Sequence, residues 1–274
     1  MSRIFRTTVS HSILILGVLL MIIPLWLVFA SSTHTNSFIY NEGMQWKIGE
    51  EFFENYDRVL NRKGGFTKEI TASGIFYNSF IMAFGIASLS VFVSMMAAYS
   101  LVYFKTRFST LFFWLIFITL LVPLELRILP SYQIVSDLNL LNSYAGLILP
   151  LSASAIATFF FRQYYRSIPE ELLEAAKLDG ENSWKFFIDF LVPLSKTMVA
   201  AMFIFMFVYG YNQYLWPLIM TTSEKYWTVV MGLKMIYGGN SVDRYTYVIL
   251  SLIPPVIIIV FLQRLFIQGL FQSK

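Results

Sequence analysis

Six apolar stretches divide the chain, covering 12–30, 76–104, 109–129, 144–161, 197–220 and 246–263. A helix needs about 20 apolar residues to cross roughly 30 Å of hydrocarbon, so each stretch is read as a transmembrane helix. The second is long enough to tilt or to project beyond the bilayer. The first has a basic start at Arg3 and Arg6, and Val28-Phe29-Ala30 looks like a signal-peptide cleavage site. Its apolar run from Ile13 to Ala30 exceeds the usual signal core of about 7–15 residues, so it is read as an uncleaved span. Two polar segments interrupt the pattern, a mixed-charge loop at 31–75 and a charged loop at 162–196. No linker separates domains, and 1–274 reads as a single transmembrane domain of the all-α polytopic class.

Within the second span, Ala83, Ala87, Ser90, Ser94 and Ala98 recur at steps of three and four, placing small residues on one helix face. The fourth span carries Ser152, Ala153, Ser154, Ala155 and Ala157. Helix packing explains both stripes; lining a solute path is the alternative. Pro254-Pro255 should bend the sixth span, and a broken helix in lipid needs neighbours to satisfy its backbone.

The 162–196 loop predicts a helical hairpin. Ser167 and Glu170 have capping-box spacing, with Pro169 in the first turn. Leu172, Ala175 and Ala176 give a small apolar face. Asp179-Gly180 ends the helix, with Gly180 suited to a left-handed position. A second helix starts near Asn182 or Ser183, carries Trp184, Phe187, Ile188 and Leu191, and stops at Pro193. Its apolar face packs either on the protein's own spans and the lipid interface or into a partner's groove.

Composition agrees with a membrane protein and removes other classes. Hydrophobic residues make up 57%, charged residues 13%, and mean hydropathy is +0.64. Soluble domains carry about 25% charge. Aromatics at 18%, with 27 Phe, suit lipid-facing helices and interfacial belts. Zero cysteines exclude disulfides and thiolate sites, and only His11 and His34 could serve a metal or a catalytic triad. Walker A and HExxH patterns are absent, so no intrinsic catalysis, bound cofactor, metal or nucleic-acid role is expected. Deep Asp, Glu or His is also lacking in the spans, which argues against a secondary transporter.

With six spans both termini lie on one side, which then holds eleven basic residues against nine. Five of the nine sit in the 31–75 loop, and long loops cross largely regardless of charge. The short turn Lys105-Thr106-Arg107 and the N-terminal arginines therefore place both termini, and the 162–196 loop, in the cytoplasm. Glu125 and Arg127 stand at the outer end of the third span, either in the headgroup region or in a functional role.

Glu174-Ala175-Ala176, Asp179-Gly180 and Val192-Pro193-Leu194 resemble the EAA loop of ABC-importer permease subunits. Phe190 and Val192 replace the usual Ile and Leu, and both stay apolar. The stretches 111–130, 142–163, 209–218 and 252–269, together with Glu54-Asn55-Tyr56 and Asn78-Ser79, extend the likeness to carbohydrate-type permeases. Glu125-x-Arg127 and Tyr211-Asn212-Gln213-Tyr214 are similar to the glycerol-phosphate branch. The resemblance implies a type I importer permease fold in a bacterial inner membrane. It implies a second homologous permease, two ATPase subunits that use ATP and Mg, and an extracytoplasmic solute-binding protein. The solute would be sn-glycerol-3-phosphate, or another sugar or oligosaccharide. The ATPase would meet Glu174, Ala175, Ala176, Asp179, Gly180 and Pro193. The solute path would include Glu125, Arg127, Asn212 and Tyr214. A membrane scaffold that uses the hairpin for assembly is the reading from another class; unlike the importer, it needs no ATPase.

Overall fold

The computed structural model describes residues 3–61, 70–104, 107–178, 180–235 and 240–271, and all regular structure among them is helical. In chain order the first helices are α1 (Arg3–Ser31), α2 (Asn36–Glu42), α3 (Phe52–Asn61), α4 (Ala72–Tyr103) and α5 (Ser109–Ile118). Next come α6 (Leu124–Asp137), α7 (Tyr144–Ile148), α8 (Ala155–Ser167), α9 (Glu170–Leu178) and α10 (Ser183–Phe186). A π-helical turn at Phe187–Leu191 leads into α11 (Val192–Leu194). The last four are α12 (Lys196–Tyr211), α13 (Leu215–Met220), α14 (Val229–Met235) and α15 (Ser241–Phe271). Lys105 and Thr106 of the turn used for orientation lie outside the described residues.

Three helices, α1, α4 and α15, are long and apolar enough to cross a bilayer unaided. Three more crossings are available if each bent pair counts as one span. The chain turns by 107° between Ser109–Leu121 and α6, by 46° between Tyr144–Leu151 and α8, and by 76° between Ser183–Leu194 and α12. The first bend has a plain cause. Pro123 disfavours helical backbone at the preceding residue, and Val122 is extended at φ −88°, ψ 108°. The 109–129 stretch is therefore two helices, and Glu125 and Arg127 sit in the first turns of α6 rather than at the end of a continuous span. Pro254 and Pro255 remove two backbone donors without ending α15, which continues to Phe271.

Contacts divide the chain into two compact units, Met1–Phe76 with Met231–Ile253, and Tyr77–Val230 with Pro254–Lys274. In the first unit the segment after α1 is folded rather than a plain loop. Ser31, Ser32 and Thr33 are fully buried, and buried polar groups must be paired. The Gln45 amide donates to Ser31 Oγ (2.9 Å) and the Gly49 amide to Thr33 Oγ1 (2.7 Å). Gly49 is required, since a Cβ there would meet the Thr33 carbonyl oxygen at 2.4 Å. Asn55 Nδ2 donates to the Ser32 and His34 carbonyls, both at 2.9 Å. Arg58 donates to Asn55 Oδ1 (2.7 Å) and pairs with Asp243 at the start of α15 (2.8 Å).

The second unit is organised by the small face of α4. Ala83, Ala87, Ser90, Ser94 and Ala98 are all fully buried. The bend at 152–154 frees backbone carbonyls, and α4 supplies the donors: Ser90 Oγ to Leu151 O (3.4 Å) and Ser94 Oγ to Ser154 O (3.1 Å). This is how a broken helix is tolerated in lipid. Close approach recurs at Gly210, where a Cβ would lie 3.1 Å from Ala83 Cα. Near the start of α4, Asn78 Nδ2 donates to the Lys225 and Trp227 carbonyls (2.7 and 3.0 Å), and Ser79 Oγ accepts from the Val229 amide (2.6 Å).

Candidate functional site

The hairpin is built from its caps inward. Ser167 closes α8, donating its hydroxyl to Tyr164 O (2.6 Å), and α9 begins at Glu170 after Pro169. At the other end of α9, Gly180 has φ +76°, and the Glu181 amide donates to Ala176 O (3.0 Å). This is the six-to-one bond of a Schellman stop. Asn182 then caps α10, its Oδ1 accepting from the Lys185 amide (2.8 Å). Pro193 lies in the first turn of α11, where its missing donor breaks no bond.

The hairpin has a buried foot and an exposed tip. Ala176, Phe186, Phe187 and Leu191 join Tyr99, Ala157, Phe161 and Tyr165 in one apolar cluster. Two phenols fix the foot: Tyr99 OH donates to Ser183 O (2.7 Å) and Tyr164 OH to Leu194 O (2.6 Å). Of the apolar face expected on the second helix, Phe187 and Leu191 point into the cluster. Trp184 is 53% exposed and Ile188 45%. At about 100° per residue, Phe186, Phe187 and Leu191 fall on one side of this helix, while Trp184 and Ile188 fall toward its other side, next to the exposed Lys185 and Asp189. Leu178 is 88% exposed, and Glu174 and Gly180 are also exposed. The tip thus offers apolar side chains beside a carboxylate, a surface suited to a groove.

Sequence reasoning singled out Glu174, Ala175, Ala176, Asp179, Gly180 and Pro193. Glu174, Gly180 and Pro193 are exposed and Ala176 is 2% exposed, within the cluster. Asp179 lies outside the described residues, as does the side chain of Ala175. Tyr99 and Tyr164 were missed; their only sequence signal is a tyrosine near a span end.

A second candidate region lies beside the 107° bend. Arg127, Pro123, Ser154 and Tyr209 help line a cavity of about 290 Å³. Glu125 and Arg127 both act electrostatically on the Tyr209 hydroxyl, so Tyr209 is the residue sequence reasoning overlooked there. Asn212 and Tyr214 are not among the residues lining that cavity. Asn212 instead caps the C-terminus of α12, its amide donating to Val208 O (3.1 Å), and Tyr214 stands before α13.

Comparison with known proteins fits this arrangement. Residues 90–272 match the family described as binding-protein-dependent transport system inner membrane component. The sn-glycerol-3-phosphate transport system permease protein UgpE of Shigella flexneri serotype 5b (strain 8401) is 42% identical, with 100% of this chain and 99% of that protein aligned. UgpE of Yersinia pestis is 42% identical over 96% of this chain and 95% of its own length. Among solved structures, a chain of a bacterial ABC transporter involved in import of the acidic polysaccharide alginate superposes with a TM-score of 0.78. It covers 96% of this chain and 98% of its own, at 21% identity, which speaks to the fold. A span-rich helical chain with an EAA-type hairpin, matched over most of its length, belongs to the family of binding-protein-dependent transport system inner membrane components.

Proposed function

We propose that this chain forms one half of the membrane pathway of an ATP-driven importer for sn-glycerol-3-phosphate. One observation carries the reading: the likeness to permeases named for that solute runs over the whole chain, not over the family domain alone. A second, homologous permease completes the pathway, and a solute-binding protein delivers the cargo from outside. Both termini and the hairpin face the cytoplasm, where two ATPase subunits bind ATP and Mg. This chain performs no chemistry itself; it is a two-state element biased by its ligands.

The exposed tip of the hairpin supports its role as the coupling element. ATP binding closes the ATPase pair, draws the two hairpins together and turns the pathway outward, and hydrolysis returns it. Glu174 would face a cation of the ATPase, so Glu174→Lys weakens docking. Arg127 steers the phosphate through weak, transient contacts, since tight binding would trap the solute. Its guanidinium presents a planar fork to phosphate oxygens and stays charged at any working pH.

The test is uptake of labelled solute by vesicles holding the whole complex with its binding protein. Uptake of sn-glycerol-3-phosphate that requires ATP and this chain is expected. Uptake of a neutral disaccharide in its place overturns the solute. Uptake driven by an ion gradient without ATP overturns the class.

A further inference from the structure

A second cavity, of about 300 Å³, lies between the ends of α4 and α8 and the start of α9. Its polar lining comprises Tyr103, Arg162, Tyr165, Arg166 and Glu170. Arg162 and Arg166 are one helical turn apart on α8, so they share a face and repel each other. Arg162 lies with its guanidinium carbon 3.8 Å from the centre of the Phe113 ring. Its Nε is buried without a hydrogen-bond partner among the described residues. Nε itself is closed to solvent, so the terminal guanidinium nitrogens of Arg162 are the donors that a carboxylate or phosphate oxygen in the cavity can meet. Among the described lining residues, two guanidiniums stand against one carboxylate, that of Glu170.

The surroundings indicate where the anion comes from. Phe113 belongs to α5, whose neighbouring side chains Leu111, Phe112, Trp114 and Leu115 form an exposed apolar belt. Of the cavity's own lining, Arg166 and Glu170 are exposed, and Gln163 and Glu171, next in the chain to the lining residues Arg162 and Glu170, are exposed and polar as well. The cavity therefore sits where a lipid-facing belt meets a water-facing hairpin, the depth at which lipid phosphates lie. Basic pockets between helices at that depth suit anionic headgroups.

We propose that the cavity between Arg162 and Arg166 is a binding site for the phosphate of an anionic lipid headgroup. Arg162 donates from its terminal guanidinium nitrogens while its face stays against Phe113, and Arg166 closes over the phosphate from the exposed side. The lipid tails lie along the apolar surface of α5. Because α9 forms one wall, an occupied site braces the hairpin against the membrane surface.

The experiment uses the whole complex with its ATPase, purified in neutral detergent and titrated with phosphatidylglycerol. Bound lipid is counted by native mass spectrometry, with phosphatidylcholine and inorganic phosphate as parallel probes. Wild type should retain one phosphatidylglycerol that Arg162→Gln and Arg166→Gln each hold about tenfold more weakly. Arg162→Lys should lose less, since charge is kept and only the fork is lost. Arg166 is exposed, so its variant keeps the test independent of folding. Unchanged phosphatidylglycerol affinity in both Gln variants overturns the proposal, as does equal retention of phosphatidylcholine. Displacement of the lipid by an equal concentration of inorganic phosphate assigns the site to a soluble anion instead. Loss of the ATPase from both Gln variants, with lipid retained, makes the cavity a protein contact.

Discussion

Substitution of Gly180 isolates the backbone contribution of the hairpin stop. Its φ of +76° is in the left-handed region, yet a Cβ built there meets nothing within 4 Å. A side chain at this position therefore adds strain without a clash. Left-handed backbone costs an ordinary L-residue about 1–2 kcal/mol, and a β-branched residue stands at the upper end. Asn is tolerated better because its short polar side chain bonds locally. If the strain falls on the docked geometry, Gly180→Val weakens ATPase affinity by about 5- to 30-fold, at 1.4 kcal/mol per tenfold. Gly180→Ala should be intermediate and Gly180→Asn close to wild type. The assay is titration of the solubilised permease pair with labelled ATPase, alongside membrane insertion, which should not change. Wild-type affinity in the Val variant, or a larger loss for Asn than for Val, refutes the argument.

Three further outcomes are expected. Arg127→Gln should lower uptake of the phosphorylated solute while ATPase assembly and basal hydrolysis persist, and Arg127→Lys should lose less; full uptake by the Gln variant in vesicles sinks the steering role. With no native cysteine, a single cysteine at exposed Glu50 should react with an impermeant thiol reagent from outside, whereas one at exposed Glu171 should react only after permeabilisation; the reverse pattern inverts the topology. Gly210→Val should destabilise the second unit by about 1–3 kcal/mol, read as a lower melting temperature in detergent, because even the first carbon would press on Ala83 and Ile86; an unchanged melt contradicts that packing.

Local features of the hairpin were legible in the sequence because their causes are local. Asp179-Gly180 signals a left-handed stop, Asn182 or Ser183 a helix start, and the stripe from Ala83 to Ala98 a small-residue packing face. The π turn was not legible, since no residue type encodes it. The pairing of Arg58 with Asp243 spans 185 positions, which periodicity cannot reach. The same holds for Tyr209, which becomes a neighbour of Arg127 only after the chain has turned at Pro123. Ser90 and Ser94 looked like packing residues, and they are, but their hydroxyls also complete the backbone of another span.

Close packing determines how a displacement travels through the hairpin. The foot side chains Phe186, Phe187 and Leu191 are at most 3% exposed and sit in a cluster with side chains of α4 and α8. Such interiors have the density of organic crystals and little compressibility. A push on Leu178 or Trp184 is therefore not absorbed as a dent in the hairpin. Tyr99 and Tyr164 tether the foot at two separate points, so the load divides between α4 and α8 and moves both helix ends at once. The hairpin behaves as a stiff lever with two anchorages, and its travel is set by how far those two helices can shift together.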